Sequence, residues 1–436
     1  MVHPAEAYRR LNEGGHADSN WSCVQKDSIW EVNMSTSLLY HAFGIRGYEY
    51  VRTQYQDGQV IFTIRQERRS YRCGACNSRD VRPKGRAERR FHSLPIGGKS
   101  TAVVFCIPRV ACQNCGVVRQ VKVNFADARR TYTKAFERYA LELSRHMTIL
   151  DVAHHLDVSW DVIKDIQQRD LSRRYSRPKL KHLQHIAIDE IAVAKGHRYL
   201  TIVLDLDSGA VVFVGDGKGG DALKPFWRRL RASKARIDAV AMDMSAAYRQ
   251  AVSSYLPKAT IVFDHFHVVK LFNQKLSDLR RTLYRQATAA NKEVLKGTRW
   301  LLLKNPENLD VEQNEKRRLT EALKLNKSLA TAYYMKDDFR QFWEQPGMRF
   351  ATLFLDGWIR RAKASGIKML RQIAKTLEAH RAGLLAYYDV QITSGPLEGT
   401  NNKIKTMKRQ AYGFRDHEFF KLKILAIHET RYALVG

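Results

Sequence analysis

Between His185 and Phe266 the chain alternates short apolar runs with amphipathic ones, in an order that leaves few folds open. His185 to Ala192 reads as an apolar strand that contains Asp189. Tyr199 to Leu206 and Ala210 to Gly215 read as two more strands, joined by the turn Asp207-Ser208-Gly209. Asp221 to Ala232 has helical periodicity, and Ile237 to Met242 is a fourth strand running into Asp243. Ser245 to Leu256 is a second helix, and Thr260 to Phe263 a fifth strand running into Asp264. Three consecutive strands followed by alternation, βββαβαβ, predict a mixed sheet covered by helices. From His267 to about Tyr388 the pattern is helical throughout, punctuated by Pro306 and Pro346-Gly347, and reads as an all-helical insertion.

Beyond that insertion, Ser394-Gly395-Pro396 opens a last helix in which Glu398 precedes Lys403, Lys405, Lys408 and Arg409. Glu398, Asn402, Lys405 and Arg409 are spaced to share one helical face. A lone acid on a basic face suits a metal ligand beside a phosphate backbone; the plainer reading is a solvated helix with ordinary charge pairs. An aspartate inside an apolar strand is costly to bury unpaired, so Asp189 asks for a partner or a metal. First and fourth strands adjoin in this topology, which lets Asp189 and Asp243 converge at one end of the sheet. With Glu398 they could hold two Mg²⁺ (or Mn²⁺) roughly 3.5–4 Å apart, an arrangement for in-line phosphoryl transfer. Oxygen-only ligation suits those ions and not zinc. Taken singly, Asp189 or Asp243 could equally cap a strand end or join a salt bridge. Glu190, Asp205, Asp207 and Asp264 also stand near strand ends, and spacing does not separate them from the chosen pair.

Upstream, Cys73-Gly74-Ala75-Cys76 and Cys112-Gln113-Asn114-Cys115 each form a knuckle that aims two thiolates at one point. Together Cys73, Cys76, Cys112 and Cys115 predict a four-thiolate structural Zn²⁺ site, its spacer holding a β-hairpin that includes Thr101 to Val110. No βαβ pattern surrounds either pair, which argues against a redox role. Cys106 reads as a strand thiol, and His92 is left out because four cysteines suffice. Before this module, Asp57-Gly58 between alternating runs signals a hairpin. After it, Thr148 to Leu156, a turn over Asp157-Val158-Ser159, and a helix from Trp160 to Arg169 make a helix-turn-helix pattern. Val162, Ile163 and Ile166 point inward, and Asp161, Lys164 and Gln168 outward. Ser159, Trp160 and Lys164 are the expected DNA contacts there, and a helical pair with no DNA contact is the alternative. The balance of 74 Lys+Arg against 44 Asp+Glu, a net charge of +30, favours a polyanionic partner. No apolar run approaches the roughly 18 residues of a spanning helix, and no export leader is visible, so an intracellular protein without a membrane partner is expected.

The strand order is that of the ribonuclease H-like fold, and several segments resemble the transposases of the ISL3 family of bacterial insertion sequences. They are Ile188-Asp189-Glu190-Ile191-Ala192 with Lys195-Gly196, Asp243-Met244-Ser245 with Tyr248, and Phe263-Asp264-His265-Phe266-His267-Val268. The most specific are Glu398-Gly399-Thr400-Asn401-Asn402-Lys403-Ile404-Lys405 and Lys408-Arg409-Gln410-Ala411-Tyr412-Gly413-Phe414-Arg415. The resemblance covers nearly everything after Met34. It implies a DDE transposase in which Asp189, Asp243 and Glu398 match the catalytic triad and terminal inverted repeats are the DNA substrate, whereas Asp264 matches a motif outside the triad. Water would first free a 3′-OH, which would then attack target double-stranded DNA. Lys403, Lys405, Lys408 and Arg409 would hold the backbone. Synapsis of two ends implies a homodimer or higher oligomer, acting in the bacterial cytoplasm at the nucleoid. A non-catalytic DNA-binding regulator and a ribonuclease H-like nuclease are the alternatives.

The fold class expected is α/β (α+β), a ribonuclease H-like catalytic core with an all-α insertion, preceded by the zinc module and helix-turn-helix. By residue number, 1–33 is a disordered or non-native extension and 34–130 the hairpin and zinc module. Residues 131–180 form the helix-turn-helix and linker, and 181–268 the first part of the catalytic domain. The insertion is 269–390, and 391–436 returns to the catalytic domain with Glu398.

Overall fold

The structure, a computed structural model, describes residues 38–194 and 198–428. The expected extension 1–33 and the Lys195-Gly196 motif lie outside the described residues. The chain divides into two compact units, Met1–Gln167 and Gln168–Gly436.

In the first unit, β1 (Glu49–Gln56) and β2 (Gln59–Arg65) pair antiparallel around Asp57-Gly58. Both turn residues have positive φ, 49° and 74°, as a tight two-residue hairpin turn requires. The spacer between the cysteine pairs is a long hairpin, β3 (Val81–Ile96) and β4 (Lys99–Cys112), and β5 (Val118–Gln120) pairs with the far end of β4. β2 runs parallel to the start of β4, so the two hairpins form one sheet in the order β1-β2-β4-β3. They join because Val60, Phe62 and Ile64 share an apolar face with Val103, Phe105 and Ile107, covered by Phe43, Tyr48 and Phe125. Three helices follow: α1 (Lys134–Leu143), α2 (Ile149–His155) and α3 (Trp160–Tyr175). Thr148 opens α2 with a capping box, exchanging bonds with Asp151 that are worth about 1 kcal/mol to a helix start. Ile163 and Ile166 are fully buried against Phe136, Val152 and Leu156, as the helix-turn-helix pattern requires.

The second unit holds a five-stranded sheet, β6 (His185–Ala194), β7 (Arg198–Asp205), β8 (Val211–Asp216), β9 (Ala239–Met242) and β10 (Thr260–Phe263). Its order is β10-β9-β6-β7-β8. β7 and β8 are antiparallel additions to β6, whereas β9 and β10 run parallel to it, which is the ribonuclease H-like arrangement. Alternation along the strands separates two apolar faces. Ile186, Ile188, Val203 and Met242 face α4 (Lys224–Ser233), α5 (Ala246–Tyr255), α6 (His265–Gln286) and the inserted helices α7 to α13, which lie between Ala289 and Leu385. Ala187, Ile191, Ile202 and Ala241 face α14 (Gly395–Gln410) and α15 (His417–Leu425).

The inserted helices do not form a core of their own. Trp358, Phe339, Phe342 and Leu384 belong to the same apolar cluster as Ile188 and Met242 of the sheet. The insertion is thereby fused to one face of the sheet, while the chain after it returns to cover the other. No helix of the described residues is long and apolar enough to cross a membrane.

Candidate active site and metal centre

Register decides which acids meet. In the parallel pairing of β6 with β9, Ile188 stands opposite Met242, and in that of β9 with β10, Met242 stands opposite Phe263. Asp189, Asp243 and Asp264 each follow one of these three residues, so they lie at one level across three adjacent strands. Strands in a sheet are about 4.8 Å apart, close enough for neighbouring carboxylates to feel each other. Burial pushes the Asp189 carboxyl above its ordinary range, and the charge of Asp243 adds to the rise.

Alternation also sorts the competing acids. Asp189 and Ala187 point to the α14 side, whereas Glu190 points to the α5 side, where the Tyr248 hydroxyl donates to it at 3.4 Å. Burial pushes the Tyr248 phenol up to about 12. That hydroxyl also meets Thr201 Oγ1 at 3.0 Å and accepts from the Gly219 amide, which ties α5 to β7. Asp205 pairs with Ile186, and Asp207 lies 2.8 Å from His185 Nδ1, so both belong to the opposite end of the sheet.

Helix α14 carries Glu398. Its buried stripe Leu397, Ile404 and Met407 packs on the sheet, and Asn401 occupies a position within that stripe. Asn401 Nδ2 donates to Asp189 Oδ2 at 2.7 Å, and the Glu190 amide holds the other oxygen at 2.8 Å. The Ser245 amide donates to Asp243 Oδ1 at 2.9 Å. Glu398, half-buried, precedes Asn401 by three residues and so shares its side of the helix. The sequence pattern put Asn402 on the Glu398 face as well; Asn402 is exposed, and the residue that reaches the sheet is Asn401. The signal for it was a polar residue interrupting an apolar stripe at helical spacing.

Asp264, outside the triad that the resemblance implies, has partners of its own. Its buried carboxylate accepts from the Ser394 hydroxyl, immediately before α14, and lies 3.4 Å and 3.6 Å from the Nδ1 atoms of His265 and His267. Burial opposes ionisation, yet the bonds from His265, His267 and Ser394 hold the acid well below the carboxylate range. His265 is raised by its bond to Asp264 and by the nearby Glu398 charge. For His267, burial works against the proton, and Asp264 and Asp189 outweigh it. These two imidazoles and Ser394 carried no assigned role in the sequence pattern.

The donor set fits hard cations. Asp189 and Asp243 stand level on β6 and β9, Glu398 lies on the helix that packs against them, and Asn401 Oδ1 is buried without a hydrogen-bond partner. Such an oxygen-only set matches Mg²⁺ or Mn²⁺. Lys405 and Arg409 are exposed on the outer side of α14 and Lys408 is half-buried, whereas Lys403 Nζ turns to His428 Nδ1 at 3.5 Å.

The four cysteines meet as expected. Their Sγ atoms all lie within 4.8 Å of one another, with Cys73 to Cys115 at 3.6 Å and Cys76 to Cys112 at 3.5 Å. Tetrahedral Zn–S bonds of about 2.3 Å put sulfurs about 3.8 Å apart, so the cluster fits a structural Zn²⁺. The two knuckles are built alike. In each, the residue after the second cysteine (Asn77, φ 63°, and Gly116, φ 70°) returns its amide to the carbonyl of the first. Backbone amides pull the Cys73 thiol down to about 6, which favours the thiolate that a metal needs. Cys106 lies outside the cluster, half-buried on β4. Among the described residues no other group of three or more ligand-type side chains is drawn together this tightly, and Asp189, Asp243 and Glu398 stand more openly.

At the start of α3, Ser159 is exposed, Trp160 is 43% exposed, and the Lys164 ammonium sits 5.4 Å over the Trp160 ring.

Comparison with known proteins places these features in one family. Residues 186–424 match the ISL3 DDE family model described as a transposase. Residues 121–170 match the helix-turn-helix domain of transposase family ISL3, and 69–115 the zinc-finger of transposase IS204/IS1001/IS1096/IS1165. The chain is 32% identical over 361 residues to the transposase for insertion sequence element IS1001 of Bordetella parapertussis, covering 81% of this chain and 88% of that protein. It is 29% identical over 394 residues to the transposase for insertion sequence element IS1557 of Mycobacterium tuberculosis, covering 84% and 87%. A remote likeness, TM-score 0.38 at 11% identity, links 68% of the chain with 92% of a chain in the Drosophila P element transposase strand transfer complex.

Proposed function

The chain belongs to the ISL3 family of DDE transposases, and from that premise we propose that it binds the terminal inverted repeats of an insertion sequence and catalyses strand cleavage and strand transfer. The observation that carries this reading is the level placement of Asp189 and Asp243, with the Glu398 helix tied to Asp189 through Asn401. Asp189, Asp243 and Glu398 would hold Mg²⁺ or Mn²⁺, two ions per site. When bound, such ions supply the positive charge that assists attack by water or a 3′-OH on a phosphodiester. Asn401 and the Glu190 amide keep Asp189 in one orientation, so it needs no rearrangement to act as a ligand. Lys405, Lys408 and Arg409, with Lys403 behind them, would hold the DNA backbone along α14, and phosphate contacts of this kind position a duplex without reading it. Ser159, Trp160 and Lys164 at the start of α3 would contact the element ends, helped by the net charge of +30.

The chemistry runs in two steps without a covalent enzyme intermediate. Water attacks a phosphodiester at the element end, leaving a 3′-OH and a 5′-phosphate. That 3′-OH then attacks a target phosphodiester and displaces a target 3′-OH. Two ends must be held together, so the working form is a homodimer or larger, acting in the cytoplasm at the nucleoid. The test is incubation with duplexes carrying the ends that flank the coding region, Mg²⁺ and a target plasmid. Wild type should cut and join, and Asp243→Ala should bind without doing either. Binding without cutting by both proteins would sink the enzymatic reading.

A further inference from the structure

Tyr412 stands where α14 ends, and both its conformation and its exposure are unfavourable for a tyrosine. Its φ is 50°, in the left-handed region where glycine or asparagine ordinarily closes a helix. The amides of Tyr412 and Gly413 donate to the carbonyls of Arg409 and Lys408 at 3.1 and 2.9 Å, so Tyr412 occupies the turning position of a Schellman-type end. There its Cβ crowds the following carbonyl, a strain glycine would not feel. The ring is also wholly exposed, at 101%. A core is close by: Phe414, two residues on, stacks on Phe420 at 4.5 Å. Strained residues of this kind cluster where a ligand is held, and among the described residues nothing covers this ring.

Its surroundings say what kind of partner. Lys408, Arg409 and Arg415 flank the ring, so a second copy of this surface would be repelled and a phosphate backbone attracted. We propose that Tyr412 is a base-stacking contact to the DNA substrate, its ring lying on a base that the bound duplex unstacks. This rests on the reading of Glu398 as part of the active site. Fourteen residues separate the two, and at 1.5 Å per residue that is roughly 20 Å along the helix. With 3.4 Å per nucleotide step, the stacked base lies about six nucleotides from the phosphodiester that is cut.

The experiment uses the full chain carrying Glu398→Gln, so that DNA stays intact, on element-end duplexes with 2-aminopurine at single positions spanning that distance. A fluorescence change is expected about six nucleotides from the cleavage site. It should vanish with Tyr412→Ala or Tyr412→Gly and persist with Tyr412→Trp. With Glu398 restored, Tyr412→Gly should melt no lower than wild type yet bind and cut ends about tenfold less well, because base–aromatic stacking is worth a factor of that order. A Tyr412→Gly protein that binds and cuts like wild type would show a helix-end residue only and overturn the proposal. So would a fluorescence change that survives Tyr412→Ala, or weaker self-association of DNA-free Tyr412→Gly in sedimentation. Cutting by the Glu398→Gln protein would instead sink the active-site reading, while the stacking signal, read without cleavage, stands or falls separately.

Discussion

Asn401 donates its amide to Asp189 Oδ2 at 2.7 Å, joining residues 212 positions apart in the chain. The bond orients a carboxylate from the sheet and anchors the helix of Glu398 in one contact. Removing a residue that orients a metal ligand typically lowers activity 10- to 100-fold. Asn401→Ala is therefore expected to slow single-turnover cleavage by about that much, with end binding in gel shifts unchanged. Equal loss of binding and cleavage would mean the bond merely holds the fold.

The contact of Asp264 with Ser394 holds the start of the same helix. Ser394→Ala removes a bond to a charged acceptor, worth about 1.5–3 kcal/mol, and should lower the melting temperature by several degrees. Asp264→Ala also removes the acceptor that His265 and His267 share and should cost at least as much. Melting curves check both, and a Ser394→Ala protein as stable as wild type would show that the contact contributes little.

Cys112→Ser breaks the thiolate cluster without touching the second unit. We expect zinc content by metal analysis to fall toward zero and limited proteolysis to open the hairpin of β3 and β4. The helix-turn-helix core around Ile163 and Ile166 should persist by hydrogen exchange. Full zinc occupancy in Cys112→Ser would contradict the four-thiolate assignment.

Lys336 is 6% exposed and donates to the carbonyls of Leu302 and Leu303 at 3.0 and 3.2 Å. Burial pushes its ammonium down to about 8, against about 10.4 for a free lysine. Between those values the unfolded chain binds the extra proton, so stability should rise with pH through that window. Below about pH 8 a penalty of about 3 kcal/mol is fully present. Urea unfolding at pH 7 and pH 9.5 should reveal the rise, and Lys336→Met should flatten it. An unchanged slope in Lys336→Met would assign the effect elsewhere.

Strand order and cysteine geometry were legible because both are local. Apolar runs of four to eight residues and two knuckles need no knowledge of distant partners. What stayed hidden depends on pairing. Asp189 and Glu190 are adjacent in sequence, and only the side taken by α14 tells which of them faces that helix. The choice of Asn401 over Asn402 is likewise set by which stripe of α14 meets the sheet. Nor could periodicity reveal that Trp358 and Phe342 share a core with Ile188, because an amphipathic helix does not announce what it packs on.

Asp264 and Ser394 are 130 positions apart, bracketing the inserted helices, and that distance orders events during synthesis. The zinc module, the helix-turn-helix and both aspartates leave the ribosome well before Glu398 has been translated. A chain interrupted anywhere in the insertion would lack both Ser394 and Glu398 and would leave one apolar face of the sheet short of its cover.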